Sequence, residues 1–93
     1  MRNGPLRGAD VVAAVAAENG VSVSALVGRG GSRFARAEAM YLLRRPPLEW
    51  SYGMIARRFR RHRSTVHRVV ARYEAIVGAA APDVWEMVEA SRR

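Results

Sequence analysis

The sequence contains no cysteine, so it has neither a disulfide framework nor a thiolate metal site. It also lacks lysine, because all 16 basic residues are arginine. That preference suits bidentate contacts to phosphate and guanine. It equally fits a GC-rich coding bias, which also favours the many Ala, Gly and Val. No apolar run approaches the roughly 18 residues that a membrane-crossing helix needs. Residues 1–8 have no apolar segment of the signal-peptide kind, and a cytoplasmic location is expected. There is no internal repeat and no low-complexity tract. Between positions 50 and 73 there is not one acidic residue.

What remains is short, apolar enough to fold, and strongly basic. Ninety-three residues, 49% of them hydrophobic, make one small domain with a single modest core. A net charge of +8 fits a nucleic acid, an anionic membrane surface or an acidic protein. Gly4, Pro5 and Gly8 break residues 1–8 into a flexible basic arm carrying Arg2 and Arg7. The domain proper is expected over 9–78, with a linker and a C-terminal amphipathic helix over 79–93.

Start and stop signals give an all-α chain of five to six helices. Asp10 reads as the N-cap of a first helix reaching about 19, with Gly20 beyond it and Val11, Val12, Ala14 and Val15 as its stripe. Ser22 caps a short second helix through Val23, Leu26 and Val27, stopped by Gly28. Ser32 caps a third that reaches about 45, where Pro46-Pro47 ends it. Phe34, Ala37, Met40 and Tyr41 share one face of that helix. Leu42 and Leu43 fall outside the face, so its end is covered on more than one side. Leu48 and Trp50 staple the start of a fourth helix capped by Ser51. The fifth is expected from about 62 to 77 with Gly78 as its stop. The last spans about 83–91 through Val84, Trp85, Met87 and Val88, and either closes the core or docks a partner.

The chemistry concentrates in positions 51–72. Ile55, Ala56 and Phe59 give one short helix a buried face; Val66, Val69, Val70, Tyr73 and either Ile76 or Val77 give the next one another. The ten-residue separation of Ala56 from Val66 is that of a helix-turn-helix, in which the second helix enters the major groove of duplex DNA with its N-terminal residues against base edges. His62, Arg63, Ser64, Thr65, His67 and Arg68 are the candidate readers. Arg63 and Arg68 suit guanine, and Ser64 or Thr65 suits phosphate or a thymine methyl. Arg57, Arg58 and Arg60 would hold the DNA backbone. The loop Gly28-Arg29-Gly30-Gly31-Ser32-Arg33 offers Arg29 and Arg33 to a groove or phosphate, although a glycine-rich helix connector looks the same. Arg36, Arg61 and Arg72 complete the backbone or minor-groove set. At the turn, the usual glycine is Arg60 and the often aliphatic next residue is Arg61, so a positive φ at Arg60 would carry mild strain.

Other classes lack the necessary residues. No carboxylate in the segment can orient His62 or His67 toward Ser64, so an enzyme is not expected. Two histidines alone make no zinc site. No cofactor and no small-molecule substrate are expected. RNA binding lacks an aromatic stacking platform, since Trp50, Tyr52 and Tyr73 read as core or cap residues. Membrane binding lacks an unpartnered apolar helix face.

Several stretches together resemble the C-terminal DNA-binding domain, domain IV, of the bacterial replication initiator DnaA. Val21-Ser22-Val23-Ser24-Ala25-Leu26-Val27-Gly28 is similar to that family's short helix leading into a basic loop. Arg36 with Ala39-Met40-Tyr41-Leu42-Leu43 resembles its long helix. Ser51, Ile55, Phe59 and Ser64-Thr65-Val66 resemble its helix-turn-helix and signature. The likeness covers about residues 10–77 and implies a Trp-repressor-like fold. It also implies that Arg29 or Arg33 enters a minor groove while His62, Arg63, Ser64 and Thr65 read the major groove, in a bacterial nucleoid. Arg60-Arg61-His62-Arg63 replaces the family's Gly-Gly-Arg-Asp-His and is one residue shorter, so the target should differ there.

Two DNA roles follow. One is a transcription regulator of the phage-related activator type with a DnaA-like reading head. The other is an origin-binding module or accessory of a replication initiator, whose ATPase module these residues do not include. A third reading, from another class, is a protein-interaction module that docks a transcription or replication protein through the last helix.

Overall fold

The computed structural model describes residues 5–92, and within them the chain is all-α. Six helices follow in order: α1 (Gly8–Glu18), α2 (Val23–Val27), α3 (Arg33–Arg44), α4 (Tyr52–Phe59), α5 (Arg63–Ile76) and α6 (Val84–Ser91), with a single 3-10 turn at Gly78–Ala80 before the last. Residues 1–4 of the expected basic arm lie outside the described residues.

Short polar side chains start four of these helices. Ser22, Ser32, Ser51 and Asp83 each accept a hydrogen bond from the backbone N–H three residues on, at 3.0–3.2 Å. Each such cap contributes about 1 kcal/mol. The first helix differs from its expectation. Asp10 is not the cap but lies inside the first turn, where its carboxylate accepts from the Arg7 N–H at 3.0 Å. That reach-back starts α1 at Gly8, three residues before the sequence suggested. Gly8 belongs there because a methyl on its Cα would collide with the Trp50 ring. Gly20, at φ +66°, turns the chain after α1.

The long helix α3 is central and packs against α1, α2, α4 and α5, while α6 lies along α1. Val11, Val15, Leu26, Leu43, Ile55, Phe59, Val66 and Val88 are fully buried. Leu42 and Leu43 are both covered, as their position off the main stripe implied. One expectation for a core position fails, and one alternative is resolved. Phe34 is 55% exposed, on the side of α3 away from buried Ala35, with the Tyr73 ring 5.6 Å from its own. Of the pair at the end of α5, Val77 packs inward and Ile76 is 70% exposed. Val84, Met87 and Val88 are buried, so α6 uses its apolar face inside this chain.

One polar pair crosses the core. The Tyr73 hydroxyl donates to Glu38 Oε2 at 3.2 Å. Burial pushes the Glu38 carboxyl above its ordinary range, and burial together with Glu38 pushes the Tyr73 hydroxyl up to about 12.

Candidate nucleic-acid interface

Helices α4 and α5 meet through a three-residue turn whose geometry follows from backbone satisfaction. Arg60 adopts the left-handed conformation (φ 53°, ψ 48°). Its N–H reaches the Arg57 carbonyl at 3.4 Å, and the Arg61 N–H reaches Ala56 at 2.9 Å. This crossed pair is a Schellman closure, normally built on glycine. A β-carbon there costs about 1 kcal/mol. His62 then precedes α5, with its Nδ1 3.0 Å from Ser64 Oγ.

The turn is tied to the glycine-rich loop by arginine side chains. Arg61 donates to the Phe59 carbonyl at 2.6 Å and to the Gly28 carbonyl, 33 residues away in sequence, at 2.8 Å. From the first turn of α3, Arg36 donates to Gly30 at 2.6 Å and to Leu26 at 3.4 Å. Arg36 is only 9% exposed. Both were expected to contact DNA backbone; in the structure their guanidiniums donate to carbonyls that hold residues 28–30 against the helix-turn-helix. The signals were present in the sequence. Arg36 shares an i, i+4, i+7 line with Met40 and Leu43, and Arg61 fills a turn position that usually points inward. We expect Arg61→Met to destabilise the fold by about 2 kcal/mol, the net worth of a charge-assisted bond. Hydrogen exchange should then accelerate selectively over residues 28–32. Uniform acceleration across the chain would mean that Arg61 stabilises the fold without anchoring the loop.

Because the loop is pinned there, Arg29 stands beside α5, next to Arg33 at the start of α3. A groove lined by Arg29, Arg33, Arg36, Arg61, Thr65 and Arg68 runs between loop, α3 and α5, and contains no acidic side chain. A second groove, between α2 and the turn, adds Arg58 and Arg60. Burial first, and then the neighbouring charges of Arg61 and Arg33, pull the Arg36 guanidinium below its ordinary value. The cluster therefore carries internal repulsion that an anion would relieve. The expected site residues Arg29, Arg33, Arg57, Arg58, Arg60, Arg63, Ser64, Arg68 and Arg72 are all exposed, and Thr65 is half-buried.

Two expected base readers have neighbours that the sequence did not indicate. The Arg63 guanidinium lies across Gly53 in the first turn of α4, its terminal nitrogen 3.1 Å from where a β-carbon would sit. His67 packs against Tyr52 with the rings tilted at 55° and their centroids 4.8 Å apart, and the Tyr52 ring also carries the Arg44 guanidinium at 4.4 Å. Tyr52 thus braces the flank of α5. Its position two residues before Met54 and three before Ile55 gave no hint of that contact.

Among the described residues no group of three or more His, Asp or Glu could hold a metal ion, and no helix is long and apolar enough to cross a membrane. Searches of curated proteins and of solved structures found no match. A model of the homeodomain-like domain matches residues 32–81, which hold α3, α4, α5 and the following turn. With a helix-turn-helix of DNA-binding type at its centre, the chain belongs to the homeodomain-like domain family.

Proposed function

We propose that the chain is a sequence-specific binder of double-stranded DNA that acts as a transcription regulator. The observation that carries this reading is the continuity of the acid-free groove from Arg29 and Arg33 to Thr65 and Arg68. It joins two elements that can each address a groove of one duplex. The first turn of α5 would enter the major groove, with Arg63 and Arg68 on guanine and His62, Ser64, Thr65 and His67 on neighbouring edges or phosphates. Arg29 and Arg33 would lie in the flanking minor groove or on its backbone. Arg57, Arg58, Arg60 and Arg72 would hold phosphates and fix the register.

The order of short helix, basic loop, long helix and helix-turn-helix supports a DnaA-like reading head. That order also favours a second role as the origin-binding part or accessory of a replication initiator. Genome-wide mapping of bound sites separates the two, since promoter positions support the first and clustering at an origin the second.

Arg63→Ala should cost about 1–3 kcal/mol on the preferred site and relax selectivity at one base pair. Binding measured on the preferred site and on single-base variants tests this. An equal loss on every sequence would remove Arg63 from base reading.

A further inference from the structure

A further groove on the molecule is apolar and lies away from the turn. It runs between the first turn of α3 and the C-terminal half of α5, with a volume of about 410 Å³. Its walls are Phe34, Val69, Tyr73 and Ile76, and Arg33 and Arg72 stand at its rim. Phe34 and Ile76 are 55% and 70% exposed, the largest exposures among the big apolar side chains described. The Phe34 ring is already seated on Tyr73, so the apolar wall is formed in advance. Isolated exposed apolar residues need no explanation, but two that face one another across a groove mark a contact site.

We infer that this groove docks a short amphipathic segment of another protein, with one or two large apolar side chains flanked by Asp or Glu. The choice of partner follows from charge. Arg33 and Arg72 are the charged residues lining the groove, so acidic flanks are attracted and basic ones repelled. A second copy of this chain is a poor occupant, because each copy carries a net charge of +8. Seating a helix or extended segment by an apolar anchor inside a charged rim is an established mode of peptide recognition. The surface is separate from α6, whose apolar face is used internally. It rests on Phe34 and Ile76, neither of which belongs to the proposed DNA interface.

The test uses the whole chain. A phage-displayed library of random short peptides is panned on it, with the Ile76→Glu variant for counter-selection, and recovered peptides are measured by fluorescence anisotropy. The expected peptides carry a large apolar residue with Asp or Glu within one turn of it. Phe34→Ala and Ile76→Ser should each weaken them about tenfold, with DNA affinity and circular dichroism unchanged. Arg72→Glu should abolish binding, and a peptide with its acids changed to Lys should not bind. The inference is overturned if no peptide is recovered, if recovered peptides lack acids, or if binding is indifferent to Phe34 and Ile76. It is equally overturned if sedimentation shows a dimer that Ile76→Ser dissociates, because the occupant is then a second copy.

Discussion

Deleting residues 79–93 is expected to leave a chain that no longer folds. The family match ends at 81, and its three helices account for the helix-turn-helix without α6. The packing gives a different answer. Val84, Met87 and Val88 are 9%, 6% and 1% exposed, and burying side chains of this kind stabilises by about 1.5–3 kcal/mol each. Their loss amounts to roughly 5–9 kcal/mol, against about 5–14 kcal/mol for the whole stability of a domain this size. The deletion also strips the face of α1 that α6 covers, and Asp10 loses Arg92, 3.4 Å away. Urea unfolding followed by circular dichroism at 222 nm decides the matter. A truncated chain with a cooperative transition near the parent's would return α6 to a docking role.

Much of this architecture was legible because local chemistry agreed with tertiary structure. Ser22, Ser32 and Ser51 announced helix starts that the fold uses unchanged, and the spacing of Ala56, Phe59 and Val66 placed the turn correctly. Failures came where a residue type is compatible with two jobs. An aspartate immediately before an apolar stripe looks like a cap, yet Asp10 closes the first turn from inside. Phe34 has the right period for the core, but periodicity does not show where neighbouring helices end. Arginine posed the deepest ambiguity. A guanidinium is equally suited to a phosphate and to a carbonyl, so net charge could not separate Arg36 and Arg61, which hold the loop, from Arg29 on that loop and Arg33 at the start of α3. The difference is geometric, and depends on contacts between residues as far apart as Gly28 and Arg61.

That division of the arginines sets the second large effect, the response of DNA binding to salt. With Arg36 and Arg61 tied to carbonyls and Arg63 and Arg68 assigned to guanine, six exposed arginines of the interface remain for phosphates: Arg29, Arg33, Arg57, Arg58, Arg60 and Arg72. Each neutralised phosphate adds about 0.9 to the slope of log affinity against log salt. If about six engage, affinity should fall roughly a thousandfold between about 50 and 200 mM salt. Arg58→Ala or Arg72→Ala should lower the slope by about one while weakening all sequences alike. Arg45 provides the control. It is exposed too, but it follows the last residue of α3, about 18 Å of helix from Arg33, and it packs near Tyr41 and the turn that follows α3. Arg45→Ala should therefore leave the slope unchanged. Titrations of one duplex at several salt concentrations read all of these values. A flat dependence would remove the phosphate role from the arginine face, and an equal response to Arg45→Ala would show that net charge alone, rather than this surface, draws the DNA.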